Sequence, residues 1–337
     1  MKIEASKLYN VLQIFSQASR GSFDEEAKYC FFEEGSCLFY SSPICIKYPL
    51  QSDLNCIVSL KLLLDMVSKV EGDVELSVLD EKVLRVELGD LLVGKLELVS
   101  LGLGKGAVDL EEPAWKELPP GFLDGLSFCV KAVSTDPTSG NLTGVYIGGD
   151  KIVGMDNLRC SRCKLESQVG DKFIVPSLYA PLLVDLGVSE YFYKDNLAYF
   201  KSSSGAFVRI SCLLGDYPDC DYLFSFDGVE VDFENVGEIE KVLSKMDIFL
   251  RGMDFLDQLV RVRISDEGLA CSCSRVGVGG LESKPIPVGY RGREIEFLVN
   301  PKYFLEVVKS GSMCVGDDKV KFEQGNLGSV VALCCED

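Results

Sequence analysis

Cys160 and Cys163, in LRCSRCKLE, make the one Cys-x-x-Cys spacing in the chain. That spacing is half of a zinc site, and no second pair stands at finger distance to complete it. Histidine is absent, which removes Ser/His and Cys/His nucleophilic catalysis and the commonest general base. Asp219 and Asp221 could pair as acid and base, but no motif surrounds them. GLGKGA at 102–107 is glycine-rich, yet it lacks the Lys-Ser/Thr ending with which a P-loop reaches phosphate and magnesium. The residues therefore point to a protein that is not an enzyme, with no cofactor and no metal.

Composition narrows the class further. The 337 residues are 47% hydrophobic, enough for two or three packed domains. No apolar run approaches the ~20 residues of a membrane span. The N-terminus MKIEASKLYNVLQIF has neither the charged start nor the cleavage site of a signal peptide. A cytoplasmic protein without membrane attachment is expected. The 14 cysteines lie mostly within apolar stretches such as KYCFF, LSFCVKAV and ISCLL, so they read as buried reduced thiols. Cys334–Cys335 reads as an apolar strand end. The formal net charge of −18 argues against a protein that binds nucleic acid over its whole surface. It leaves room for one that gathers its 34 lysines and arginines on one face.

The elements that would position such a face occur three times. IVSLKLLLDMV (57–67), IVPSLYAPLLV (174–184) and LVNPKYFLEVV (298–308) align without gaps, each a strand end followed by an amphipathic helix. Asn300 and Pro301 supply an N-cap and a first-turn proline. Strand–turn–strand patterns follow: VELSVLDEKVLRVEL, SEYFYKDNLAYFKS and GSMCVGDDKVKFEQ, with Asp80, Asp195 and Asp318 in or beside the turns. LLVGKLELVSL, GAFVRISCLL and SVVALCC close the units. An earlier helix recurs at SKLYNVLQIFSQA, FLDGLSFCVKAV and EIEKVLSKMDIFL, each followed by a hairpin pattern: YCFFEEGSCLFYSS, GVYIGGDKIVGMDN and VRVRISDEGLACSCS. The chain reads as an α+β protein of three similar domains, 1–114, 115–229 and 230–337, each with two helices against antiparallel sheets. Linkers fall at 101–122 and near 216–233.

Basic residues concentrate on or near the six repeated helices: Lys7, Arg20, Lys61, Lys69, Lys131, Lys241, Lys245, Arg251, Lys302 and Lys309. Acidic runs such as FDEEAKYCFFEEG and VDLEEPAWKE lie elsewhere. The separation is imperfect, since Asp65, Asp124, Asp185, Glu238, Glu240 and Glu306 share the helices. Taken alone, lysines on wet helix faces are ordinary surface residues.

The order of these segments, over essentially the whole chain, resembles the bacterial-type sliding clamp, the beta subunit of the replicative DNA polymerase. NLTGVYIGGDKIVGMDNLRCSRCKLE, DKFIVPSLYAPLL and LLGDYPDCDYLF follow the order of that family's middle domain. Its Thr-Asp-Gly-His-Arg-Leu run stands here as Met155, Asp156, Asn157, Leu158, Arg159 and Cys160, with only Asp and Arg kept. Its Phe-Pro-Asp-Tyr run stands as Tyr217, Pro218, Asp219 and Cys220. The Asn-Pro-x-Tyr helix start is intact at 300–303.

The resemblance implies half of a six-domain ring (the DNA clamp fold), closed as a homodimer and sliding on double-stranded DNA without sequence preference. The ten basic residues would face the DNA from helices lining the hole. Such a processivity factor tethers the replicative DNA polymerase and is placed by a clamp loader in the cytoplasm, on the nucleoid. The family's partner groove maps onto Leu142, Met155, Asn157, Leu158, Arg159, Cys160, Pro218, Leu223, Leu333 and Cys335, with Asn300 and Tyr303 at the rim. Taken alone, Leu142 and Leu333 read more readily as core strand residues.

Departures are clear: the family's Met-Pro-Met and Arg-Leu ending is Leu-Cys-Cys-Glu-Asp here, and DPTSGN (136–141) lacks an aromatic pair. They point to a divergent member, from a virus or an unusual lineage. The rival reading is a repeat scaffold or assembly protein that never meets DNA. A trimeric clamp of two-domain chains would need two repeats rather than three.

Overall fold

Two of the three repeated helices begin on the caps their sequences supply. Asn300 accepts the Lys302 backbone N–H on Oδ1 at 3.0 Å, with Pro301 next to it in the first turn. Ser59 accepts the Leu62 N–H on its hydroxyl at 3.4 Å. The middle copy differs. Its helix starts at Ala180 rather than directly after Val175. Pro181 has no N–H to donate within a helix, so it must sit in the first turn, and residues 176–179 form a separate turn before it. Gly187, with φ of +60°, ends that helix in the left-handed conformation that a glycine adopts without a Cβ clash.

A computed structural model describes residues 1–89, 92–100 and 114–334 of the chain. It contains the α-helices α1 (Ala5–Ala18), α2 (Leu60–Val67), α3 (Phe122–Cys129), α4 (Ala180–Leu186), α5 (Asp221–Phe224), α6 (Val236–Leu250) and α7 (Pro301–Val308). The sheets are antiparallel, so the expected α+β class holds. Contacts divide the chain into two units. One comprises Met1–Val130, Gly144–Asp150 and Glu166–Gly215, the other Lys131–Thr143, Lys151–Leu165 and Asp216–Asp337.

In the first unit an eight-stranded sheet runs in the order Cys56–Ser59, Tyr29–Glu33, Ser36–Ser41, Ile44–Pro49, Phe207–Ser211, Leu197–Ser202, Val188–Lys194 and Lys116–Glu117. Strands of the first and second repeats meet at its centre, where Ile46 stands opposite Val208. A four-stranded sheet orders Lys2–Glu4, Asp73–Leu79, Val83–Leu88 and Leu92–Glu97. Helix α1 packs on α2 and α3 on α4. The apolar face of α1 buries Leu8, Leu12 and Phe15, with the Phe15 ring 5.8 Å from that of Phe39. The turns at Asp80–Glu81 and Asp195–Asn196 have positive φ at both residues, the twist that two-residue hairpins require and that Asp and Asn tolerate.

In the second unit Arg159–Cys163, part of the strand Arg159–Pro176, pairs with Leu327–Ala332. Lys319–Gln324, Ser312–Val315 and Val229–Asp232 continue that sheet. A second sheet orders Gly279–Glu282, Gly268–Arg275, Val260–Ser265 and Ile295–Val299. Helices α6 and α7 pack together over Leu243, Met246, Leu250, Phe304, Val307 and Val308. Phe304 meets Phe297 edge-on at 5.7 Å.

Two expectations need correction. GVYIGGDKIVGMDN is not a hairpin but one strand, Gly144–Met155, which runs on through Gly149 and the exposed Asp150 with Val145, Ile147, Ile152 and Val153 buried on either side. The segment at 216–233 is more than a linker, since it carries α5 and the sheet strand Val229–Asp232. Most of the linker expected at 101–122 lies outside the described residues. Every described cysteine is a free thiol and all but Cys334 are buried.

Replacing Asn300 by Ala should lower the urea midpoint by the equivalent of about 1 kcal/mol, the usual cost of losing an N-cap acceptor. Lys302→Ala, two residues on and exposed, keeps the backbone N–H that the cap accepts and should leave it nearly unchanged.

Candidate functional site

The turn at 156–159 organises one side of a cavity in the second unit. The Asp156 carboxylate accepts the backbone N–H groups of Leu158 (2.8 Å) and Arg159 (2.9 Å) on Oδ1. Its other oxygen accepts from Arg159 Nε at 3.2 Å and from the Tyr303 hydroxyl at 3.4 Å. The Arg159 guanidinium lies 4.0 Å above the Tyr303 ring. It also donates to Glu306 Oε1 at 3.0 Å and to the Lys131 carbonyl oxygen. Strand, turn and helix α7 are thus held by one planar cation, a geometry that guanidinium can satisfy and a point charge cannot. Burial pushes the Tyr303 phenol up to about 12, with the Asp156 carboxylate adding to it. Burial also raises the Glu306 carboxyl above its ordinary value, against the opposing pull of Arg159.

A second arginine holds the opposite side. Arg162 donates to Asp221 Oδ1 (3.0 Å) and Glu323 Oε1 (3.1 Å), and stacks 3.9 Å above the Phe224 ring. Lys151 donates to the other Asp221 oxygen at 2.6 Å, and this bond is the main reason the Asp221 carboxyl is held below its ordinary value. Helix α5 and the preceding Pro218 are fixed in this way. The Tyr217 hydroxyl completes the join by accepting the Met155 N–H at 3.1 Å.

Between the two frames lies a cavity of about 340 Å³, lined by Leu142, Met155, Asp156, Asn157, Leu158, Arg159, Cys160, Pro218, Tyr222, Leu223, Asp318, Lys319, Val330 and Ala332. It is mostly apolar with charged edges, a shape and chemistry suited to the apolar side chains of a short peptide. Among the described residues no group of three or more His, Cys, Asp or Glu is placed to hold a metal ion.

No protein family model matches the chain, and no curated protein matches it. Solved structures do. The DNA polymerase III beta subunit of Thermotoga maritima superposes with a TM-score of 0.81 at 13% identity, over 100% of this chain and 99% of that one. The beta chain from Streptococcus pneumoniae gives 0.80 at 16% identity, over 99% of each chain. The beta clamp of Helicobacter pylori, solved with a DNA ligase peptide bound, gives 0.77 at 13% identity over the whole of both chains. This chain has the sliding-clamp fold.

Within the clamp fold, the residues expected at a partner groove separate into three groups. Leu142, Met155, Asn157, Leu158, Arg159, Cys160, Pro218 and Leu223 all line the one cavity. Asn300 and Tyr303 do not. Asn300 is buried as the cap of α7, and Tyr303 is buried beneath Arg159. Leu333 faces a different cleft, with Arg261, Phe297 and Asp317, while its strand neighbours Val330 and Ala332 line the cavity. Alternation along an extended strand explains the difference, because a choice off by one residue selects the opposite face. Cys335 lies outside the described residues. Tyr222, Lys319 and Arg162 were not anticipated. An arginine inside an apolar strand run was the available signal for Arg162.

All ten expected basic residues are exposed, but only Lys7, Lys61, Lys241, Lys245 and Lys302 lie on α-helices of the clamp fold. Arg20, Lys69, Arg251 and Lys309 fall just past helix C-termini, where the helix dipole favours cations. Lys131 sits in the 3-10 turn Val130–Ala132. Three of the ten are engaged by neighbouring acids: Arg251 with Asp247 at 3.2 Å, Lys309 with Glu240 at 3.1 Å, and Lys302 with Asp247 at a longer 3.7 Å.

Replacing Arg159 by Met should cost about 3 kcal/mol, because Asp156 and Glu306 lose their cation. A carboxyl with a raised folded-state pKa makes the folded state less stable as pH rises through that value. Removing Arg159 raises the Glu306 value further. The variant should therefore lose stability more steeply than the parent between pH 5 and pH 8, measured as melting temperature. Parallel pH profiles would refute the role given to Glu306.

Proposed function

We propose that the protein is a DNA polymerase processivity factor that acts without chemical transformation. Two chains close head to tail into a ring of six domains, three from each chain at 1–114, 115–229 and 230–337. Double-stranded DNA passes through the ring. A replicative polymerase and a clamp loader dock by short peptides in the 340 Å³ cavity. The observation that carries the reading is the convergence of eight expected partner-binding side chains on one cavity in a chain with the clamp fold. The peptide bound to the Helicobacter pylori clamp supports the kind of partner.

Two sheet edges support closure between chains. The strand Leu92–Glu97 ends one sheet and exposes Leu92 and Val93. Gly279–Glu282 ends another and exposes Leu281, near Val276 and Val278 in sequence. Open edges with apolar side chains seek a partner strand. The exposed cations supply weak phosphate contacts, and an overall charge of −18 keeps total affinity low. Retention on DNA then depends on topology more than on contact.

Light scattering at micromolar concentration should give twice the 37.0 kDa chain mass. A linear duplex threaded by the protein and then blocked at both ends should hold it through a high-salt wash, and unblocking one end should release it. Joint charge reversal at Lys7, Lys61, Lys241 and Lys302 should reduce retention; a monomer with no end-dependence would refute the ring. Leu142→Asp should weaken binding of a labelled DNA ligase peptide, of the sequence bound by the Helicobacter pylori clamp, by roughly tenfold or more, equivalent to about 1.4 kcal/mol. Unchanged affinity would remove the cavity from the proposal.

A further inference from the structure

The cavity has a neighbour across the strand end that closes it. Ala332 lines the cavity, and its N–H donates to the Leu158 carbonyl oxygen at 2.8 Å. The next residue, Leu333, lines a second cleft of about 250 Å³. Cys334 lies in the same cleft and donates its N–H to the Leu298 carbonyl oxygen at 2.9 Å. The turn between Ser312–Val315 and Lys319–Gln324 is divided in the same way, with Asp318 on the cavity and Asp317 on the cleft. The two spaces therefore meet across this strand end and this turn.

The second cleft opens a longer trough. It shares Arg261 and Glu296 with a small cleft on the sheet face, which in turn shares Arg263 and Ala270 with a third of about 370 Å³. Strand register explains the path. Arg261 and Arg263 are two residues apart on Val260–Ser265, so they share a face. Ser272 and Ala270 stand opposite them on Gly268–Arg275, and Leu298 and Glu296 on Ile295–Val299. The small side chains at 270 and 272 give the trough a low floor beside the arginines. From Arg261 to Ser265 it runs four residue steps, about 13 Å at the spacing of an extended strand.

Six carboxylates and two guanidinium groups line these clefts. Glu296 pairs with Arg261, and Asp266 accepts the Gly292 N–H at 3.0 Å. Glu267, Glu282, Glu294 and Asp317 are exposed and have no ion-pair partner among the described residues; of the cations, only Arg263 is in that position. The trough is thus acidic, repelling phosphate and favouring a cation. We propose that it extends the partner-docking site, taking a basic, extended segment that flanks the apolar anchors of the same partner peptide. The anchor's place rests on the peptide-cavity reading; the preference of the trough for a cationic segment does not. Each exposed charge pair is weak, but linkage to an anchor raises the effective concentration of the flank so that several weak pairs add. Partners sharing an anchor would then be ranked by the charge beside it.

The labelled ligase peptide is compared, on the full chain, with two versions that carry Gly-Ser-Lys-Ser-Lys-Ser-Lys at one end or the other. At about 0.05 M salt the extension should tighten binding roughly tenfold at one end and little at the other, and at about 0.5 M salt the gain should vanish. In the double variant Glu267→Lys/Glu294→Lys the ratio of extended to unextended affinity should fall to near one. Glu71→Lys/Glu166→Lys makes the same change in net charge at exposed residues of the first unit and should keep the tenfold ratio. No gain at either end, equal gain at both ends, or equal loss in both double variants would overturn the proposal. If the unextended peptide does not bind, the cavity reading fails, and a photo-crosslinking version of the basic segment alone decides the trough. Cross-links within 261–272 and 294–298 support it, and cross-links spread over the acidic surface overturn it. Cross-linking uses the parent chain, so it does not depend on a variant folding.

Discussion

Arg159 is the interaction on which the candidate site depends. It makes one stacking contact and donates to two carboxylates and a backbone carbonyl, so a single side chain holds the turn at 156–159, helix α7 and the Lys131 segment in fixed relation. The charge is almost fully enclosed, with only 10% of the side chain exposed. An enclosed cation is costly unless its donors find acceptors, and here they do. The Asp156 carboxylate in turn spends both oxygens on the turn itself. It is physically reasonable that Asp and Arg are the two residues kept from the resembled run while the other four differ. They build the frame, whereas Met155, Asn157, Leu158 and Cys160 only line it.

The same principle operates on the opposite side. Arg162, Lys151 and Asp221 fix the short helix α5, which at four residues could not hold itself in water. The cavity is therefore a space between two charge-assisted frames rather than a gap in the hydrophobic core. Its lining can vary in chemistry without collapsing the walls, which explains how thiols can occupy positions that carry larger side chains in the resembled runs.

The larger architecture was legible because repetition amplifies weak signals. One amphipathic helix with an Asn-Pro start says little, but three aligned copies gave the helix pairs α1–α2, α3–α4 and α6–α7 that the structure contains. The errors fell where one residue overrode the repeat. Pro181 moved the start of α4. GVYIGGDKIVGMDN runs through Gly149 and the exposed Asp150 as a single strand instead of turning there. Leu333 was placed on the cavity when Ala332 occupies it, since strand parity cannot be read through an end with apolar residues at every position.

By itself the sequence determined the local grammar: caps at Ser59 and Asn300, tight turns at Asp80 and Asp195, apolar helix faces, and the absence of histidine chemistry. These depend on neighbours within a few residues, so spacing is enough to specify them. Only the tertiary structure decided which distant residues meet. It brought Arg159 onto Tyr303 and Arg162 onto Phe224. It also showed that the exposed Lys302, Lys309 and Arg251 share their charge with nearby acids. Long-range contact depends on how sheets register and helices pack, and no short spacing in the chain encodes that.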